Sequence, residues 1–286
     1  MRSDISKFIK GVDTKKRILE IGPLDTPIFK KSEADVYYAD VRSDVELLEV
    51  YKNEPRVLDA VPIDFVIKEG YAAALKDVPK FDYVVSCHVL EHMPRLIEFF
   101  LDIQKIMTDG GIFWALLPDH RYCFDHFRQP TSFAEAWYIH TTKMPYAPWR
   151  VLDNLLDTTK CNNPFEFWKD DNLAVAHLLS NDRQWDDVVT RYQSVLDGSA
   201  RDGHLSVFTP KSFLYLTYNM IRARLFPWRY KSFCYTPYRE FTFAFSLAAC
   251  PAMLSDPEMA QYELTKIAAL LDEDEKMLNG KTIQWI

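Results

Sequence analysis

His88, Glu91 and His92 sit within the stretch SCHVLEHMPRL, residues 86–96. On a helix, positions i, i+3 and i+4 share a face, so two imidazoles and a carboxylate would point the same way. One class of zinc peptidases uses that H-x-x-E-H spelling on a long helix, with a distant acid as third ligand. A second reading gives the same three side chains a divalent ion that orients substrate hydroxyls. A site rich in imidazole suits softer divalent metals better than Mg2+. In a third reading no ion is held, and Glu91 and His92 buttress a turn or line a pocket. Further along, LPDHRYCFDHFR (residues 117–128) concentrates Asp119, His120, Arg121, Asp125 and His126. Such groups can take the proton of an attacking hydroxyl. The base is expected to be His120 or His204, with Asp119 orienting it and Asp202 close to His204 in the chain. Arg121 and Arg128 suit an anionic substrate such as a phosphorylated sugar. The structural alternative is that these acids and arginines pair with one another to fix a loop.

The elements that must carry these residues follow from the apolar pattern. KRILEIG (16–22), DVYYAD (35–40), PIDFVI (62–67), FDYVVS (81–86) and IFWALLP (112–118) read as strands. Between them lie PLDTP, where Asp25 or Thr26 can cap a helix with Pro27 in its first turn, and the amphipathic SDVELLEVYKN. LIEFFLDIQKIM (96–107) has helical periodicity and ends at the Gly110-Gly111 turn. Strands separated by helices imply parallel pairing and right-handed crossovers, hence a doubly wound α/β sheet. From Asp119 to Gly203 strands are absent, and NLAVAHLLS (172–180) and WDDVVTRYQSVL (185–196) read as helices of an inserted lid. SVFTPKSFLYLTYNMIRA is a helix capped near Thr209-Pro210, and YKSFCYTPY and EFTFAFSLAA form an antiparallel pair that closes the sheet. The tail helix ELTKIAALLDEDEKML is expected either to pack on the sheet or to mediate dimerisation. The expected organisation is residues 1–118 and 204–250 as the α/β domain, 119–203 as the helical insertion on the acceptor side, and 251–286 as a helical tail.

Composition narrows the function. The chain has 286 residues, 48% hydrophobic and 26% charged, with a net charge of −7 that disfavours nucleic acid as partner. The five cysteines show no C-x-x-C pair, so they read as reduced thiols of a cytoplasmic protein. The N-terminal stretch lacks the apolar core of a signal peptide, and no apolar run is long enough to span a membrane.

In a doubly wound sheet, ligands bind beyond the carboxyl ends of the strands. Those ends are Glu20 to Leu24, Asp40, Ser86 to His88, and Pro118 to Arg121. A glycine turn at Gly22, followed about twenty residues later by Asp40 closing the second strand, describes a site for an adenosine-containing cofactor. G-x-G-x-x-G is absent after the first strand, which disfavours an NAD-dependent oxidoreductase.

ILEIGPLDTP, YYAD, FDYVVSCHVLEHM and GGIFWALLPD resemble the successive motifs of class I S-adenosylmethionine-dependent methyltransferases. EIGPL, LPDHRYCFDHFR and HLSVFTPKSF resemble a bacterial branch associated with surface-polysaccharide synthesis. The likeness runs over about residues 15 to 250, and is thinnest through the insertion. It implies a Rossmann-like, mostly parallel seven-stranded sheet with an antiparallel last strand, and S-adenosyl-L-methionine as cofactor. It further implies that Glu20, Gly22, Pro23 and Leu24 form the methionine-side turn and Asp40 clamps the ribose. Ser86, Cys87 and His88 become the wall near the sulfonium. The family usually has glycine where Leu24 stands. The acid that commonly meets the adenine is matched here only by Glu69, next to Lys68. Because V-L-E-H follows directly on a strand, the resemblance favours the methyltransferase reading over a zinc peptidase, and no metal is expected unless His88, Glu91 and His92 hold one. The implied activity is O-methylation of a sugar, glycan or other small-molecule hydroxyl. A metal-assisted variant of it, or an inactive cofactor-binding module, is the alternative.

Overall fold

Ile18–Ile21 is buried at all four positions, as a strand covered on both faces must be, and forms β1 at the heart of the sheet. The computed structural model describes residues 9, 11–52, 60–145, 147–159, 164–168, 184–196, 203–238 and 240–285. The expected helix 172–180, Cys161 and Asp202 lie outside these described residues. β1 is flanked by parallel β2 (Val36–Asp40) and β4 (Phe81–Cys87). The remaining strands are β3 (Phe65–Val66), β5 (Met107–Pro118), β6 (Trp228–Cys234), β7 (Thr242–Ala249) and β8 (Thr282–Gln284). They join one sheet in the order β3-β2-β1-β4-β5-β7-β6-β8. β7 lies between β5 and β6 and runs antiparallel to both, which closes the expected seven-stranded α/β sheet. The eighth strand corrects that expectation: β8 adds to the outer edge of β6, antiparallel.

Ten α-helices follow in chain order among the described residues. Those before the insertion are α1 (Asp44–Val50), α2 (Tyr71–Ala74) and α3 (Leu96–Lys105). Within 119–203 lie α4 (Phe133–Thr142), α5 (Pro148–Asp157), α6 (Pro164–Phe167) and α7 (Trp185–Leu196). After it come α8 (Pro210–Arg222), α9 (Pro257–Asp272) and α10 (Glu275–Leu278). α1, α4 and α8 each start with a capping box, Ser43 with Glu46, Ser132 with Glu135 and Thr209 with Ser212. α3 buries Leu96, Ile97, Phe99, Phe100 and Ile103 against the sheet, where Phe113, Phe213, Phe226, Trp228 and Phe245 make an aromatic core. The Trp228 indole, wholly buried, donates to Phe100 O at 3.1 Å. α5 and α7 share a satellite core of Val151, Leu155 and Val188.

Two local expectations change. No helix forms in PLDTP and the residues that follow; 23–34 is a series of turns. This stretch is held to β1 by Glu20, whose buried carboxylate accepts from Ile28 N at 2.9 and 3.0 Å and from Phe29 N at 3.1 Å. The tail packs on the sheet. Glu263 on α9, fully buried, accepts from Tyr230 N at 2.8 Å and pairs with Lys266 at 3.1 Å, and Ile267 and Leu270 enter the core.

Candidate functional site

The carboxyl ends of β2, β1, β4 and β5 form one row, and the expected cofactor residues other than Glu69 lie along it. The strand registers set Ile21 opposite Ala39 on one side and Ser86 on the other. Gly22 continues the ladder by donating to Ala39 O at 2.9 Å, which puts the turn directly beside Asp40. Gly22 is left-handed at φ 65°, and a β-carbon there would stand 2.9 Å from Val89 Cγ2. Leu24 also takes a left-handed backbone, φ 52°. It thus keeps the conformation for which glycine is the usual residue. Its carbonyl accepts from Val61 N at 2.8 Å, and Pro23 O accepts from Thr26 N at 3.2 Å. Asp40 Oδ1 accepts from Arg42 N at 3.0 Å. Nearby, burial and then the Asp40 charge push the Tyr71 phenol well above its ordinary value. Glu69 is exposed just past β3, while Lys68 turns to Glu46 of α1 at 3.5 Å.

On the other flank, Ser86 and Cys87 are buried, and Ser86 Oγ has no hydrogen-bond partner. His88 leaves β4 left-handed, φ 56°, with its N–H on Leu116 O at 3.0 Å. Its Nδ1 lies 3.2 Å from Glu91 Oε1. Leu90–His92 is a single 3-10 turn and α3 begins only at Leu96. The long helix a zinc peptidase requires is therefore not formed, and His88 does not share a helical face with His92.

What joins this turn is the return from the insertion. Glu91 O accepts from Leu205 N at 2.7 Å and from Ser206 N at 2.9 Å, and His92 Nδ1 meets Gly203 O at 3.1 Å. His204 thereby stacks edge-on against His92, ring centroids 4.9 Å apart. Its Nδ1 bonds to Asp125 Oδ2, and Asp125 is also paired with Arg128 at 2.8 Å. Among the described residues, the trio whose potential ligand atoms all lie within 4.8 Å is Glu91, His92 and His204, so His204 stands where the sequence suggested His88.

Burial opposes ionisation of Glu91 and Asp125. For Glu91 the His88 hydrogen bond and the charges of His88, His92 and His204 prevail, and for Asp125 those of His204 and Arg128 do; both carboxyls fall below their ordinary values. Burial would lower the His204 imidazole, but Asp125 and Glu91 hold it above the usual histidine value. His120 behaves oppositely. Burial pulls it down, more strongly than Asp119 and Asp125 raise it, so it stays neutral at pH 7.

The partnership expected of Asp119 is corrected. Its fully buried carboxylate accepts from Arg121 Nε at 2.9 Å, Arg121 Nη2 at 2.6 Å and Thr236 Oγ1 at 2.7 Å. The Nδ1 of His120 instead faces Asp125 O, at 3.4 Å. Of the two histidines expected as base, His204 is the one held by a carboxylate, that of Asp125. The two arginines are also committed: Arg121 to Asp119 and to Glu275 at 3.0 Å, and Arg128, fully buried, to Asp125 and Arg150 O. Neither presents a free cation to an anionic substrate. Sequence spacing gave no signal for the Asp125–His204 pair, whose members are 79 residues apart.

A family model described as methyltransferase domain matches residues 1–163. No curated protein matches the sequence. Among solved structures, the chain is similar to a putative S-adenosylmethionine-dependent methyltransferase from Listeria monocytogenes, at 11% identity and TM-score 0.39, covering 86% of this chain and 96% of that one. It is also similar to a putative Zn-dependent alcohol dehydrogenase from Rhodobacter sphaeroides (12%, TM-score 0.43, 86% and 89%). A third is Haemonchus contortus phosphoethanolamine N-methyltransferase 2 in complex with S-adenosyl-L-methionine (17%, TM-score 0.30), of which 87% of this chain spans only 52%. Likeness at this level carries no argument about the reaction or the acceptor.

Proposed function

This chain belongs to the methyltransferase-domain family, and on that premise we propose that it moves the methyl group of S-adenosylmethionine onto a hydroxyl of a sugar, glycan or other small molecule. The observation that carries the reading is the side-by-side placement of the Gly22 turn and Asp40, bonded through Gly22 N and Ala39 O at 2.9 Å. The residues present fit the donor. Gly22 and Leu24 hold two left-handed positions in one turn, a backbone shape suited to close approach of a ligand. Asp40 can accept from both hydroxyls of a ribose. The unpartnered Ser86 Oγ, with Cys87 and His88, closes the opposite wall. Glu20 acts at one remove, by fixing the turn through Ile28 and Phe29.

S-adenosylmethionine, when bound, supplies a methyl carbon activated by its sulfonium. The protein's part is mainly to hold the acceptor oxygen in line with it, which alone can account for much of the rate. His120, neutral and anchored at the end of β5 by its N–H to Phe208 O at 2.9 Å, takes the hydroxyl proton. His204 already spends its Nδ1 on Asp125 Oδ2, and Asp125 and Glu91 raise its value above the usual histidine one, so His120 is the better placed base. The carbohydrate class of acceptor, and a role in surface-polysaccharide synthesis, rest on the motifs LPDHRYCFDHFR and HLSVFTPKSF. A homodimer and a cytoplasmic location remain part of the same proposal; no helix among the described residues is long and apolar enough to cross a membrane.

The deciding experiment is mass spectrometry of candidate sugars incubated with isotopically methyl-labelled S-adenosylmethionine. A labelled acceptor supports the reading. Donor binding by calorimetry without product on any acceptor would instead support a cofactor-binding module.

A further inference from the structure

We propose that Glu91, His92 and His204 form a binding site for one divalent transition-metal ion. The three side chains each bring a ligand atom within 4.8 Å of the others. Two imidazoles and one carboxylate form a donor set suited to Zn2+, Fe2+, Co2+ or Mn2+ rather than to Mg2+.

A second, independent observation points the same way. Glu91 has no solvent exposure; His88 occupies its Oε1, and its Oε2 is buried with no hydrogen-bond partner. An ionised carboxylate oxygen left so is costly, and a cation answers it. Both imidazoles are also oriented as ligands are. Gly203 O can only accept, so His92 carries its proton on Nδ1 and its lone pair on Nε2. Asp125 does the same for His204, the carboxylate–histidine pairing that fixes metal-bound imidazoles. The backbone bonds from Leu205 and Ser206 to Glu91 O clamp the two segments together before any ion arrives. The charges agree as well: with neutral imidazoles, Glu91 and Asp125 outnumber Arg128.

Three protein ligands leave coordination positions open. On the methyl-transfer reading, these would receive the acceptor hydroxyl at the end of β4 and make it easier to deprotonate. Metal binding itself does not depend on that reading.

The test uses the untagged full chain, stripped with a chelator and titrated with Co2+ in the absence of any methyl donor, followed by calorimetry and visible d–d absorption. One Co2+ per chain is expected, displaced by Zn2+ and not by excess Mg2+. Asp125→Asn should weaken binding about 10–100-fold, as loss of an outer-shell carboxylate does, and His204→Ala and Glu91→Gln at least as much. His140→Ala, whose imidazole pairs with Glu98 between α4 and α3, should bind as wild type. Absence of saturable Co2+ binding in the wild-type chain overturns the site, as does unchanged affinity in His204→Ala. If His204→Ala loses its circular-dichroism signature, His92→Gln decides in its place. Donor binding without metal binding would sink this site alone. Metal binding without donor binding would sink only the methyl-transfer reading.

Discussion

At position 22 a β-carbon would come within 2.9 Å of Val89 Cγ2, on a backbone already at φ 65°. Gly22→Ala is therefore expected to cost at least about 1–2 kcal/mol of stability and to lose donor affinity with it. Leu24 sits in the same kind of conformation without glycine's freedom. Leu24→Gly relieves about 1–2 kcal/mol of strain against about 0.4–1 kcal/mol of added unfolded-state entropy. Denaturant unfolding should find it neutral to slightly stabilised, and a large destabilisation would contradict the left-handed backbone. Asp40→Ala should leave the unfolding midpoint nearly unchanged while weakening S-adenosylmethionine binding in calorimetry by about tenfold or more, the loss of one or two hydrogen bonds to a charged group. His120→Gln is expected to lower kcat by about 10²–10⁴-fold with little change in the donor's Kd. Because burial lowers the His120 value, the acid limb of the wild-type kcat profile should lie below the ordinary histidine range. A limb above that range would shift the role of base to another group.

Among the elements, α4 shows how a helix start also anchors its neighbour. Glu135 closes the capping box on Ser132 N at 2.9 Å and reaches Trp149 Nε1 at 3.0 Å and Arg150 Nη2 at 2.5 Å on α5. Burial would raise its carboxyl, but Arg150, Ser132 and Trp149 together bring it below the ordinary value. Since the folded value is depressed, the unfolded chain binds more protons as pH falls. The stabilisation is therefore complete above the unfolded glutamate value of about 4.3 and is lost on acidifying through the folded one. Glu135→Gln should cost about 1 kcal/mol at neutral pH, reduced from the usual charged-bond figure because the side chain is a quarter exposed. The cost should shrink in acid, as thermal unfolding at the two pH values would show. The strands carrying the site were legible in the sequence because ILEI, VYYAD and FDYVVSC are short, mainly apolar runs with chemistry-bearing residues in or just after their last positions. The missing helix after β1 was not legible. There Asp25, Thr26 and Pro27 give a local helix-start signal, while the turns that form are tied to β1 by Glu20 through Ile28 and Phe29, a contact between segments that local patterning does not show.

In the whole molecule, the site draws on two stretches that the chain keeps far apart. The turn His88–His92 was visible as a motif, but its partner His204 arrives from beyond the insertion, and its orienting acid Asp125 from the insertion's first loop. Periodicity describes neighbours in sequence, so the row Gly22, Asp40, Ser86 could be inferred from the fold while the His204–Asp125 pair could not. The tail was similarly opaque. Thr282–Gln284 is too short and too mixed to announce a strand, and only the bonds to β6 make it one: Ser232 to Gln284, Phe233 to Ile283 and Cys234 to Thr282 in register, with Trp285 N on Lys231 O at 2.9 Å. At the opposite margin β3 has just two residues, too few to template anything. β6 is longer, and its outward N–H and C=O groups are met by Thr282–Gln284 together with Trp285 N on Lys231 O and Glu263 on Tyr230 N. Cutting the chain after Gly280 should leave the core folded yet turn that flank adhesive, with light scattering rising steeply with concentration. Thr282–Gln284 thus serve as a lining stitched over the margin of β6, and its removal is what the scattering measurement would reveal.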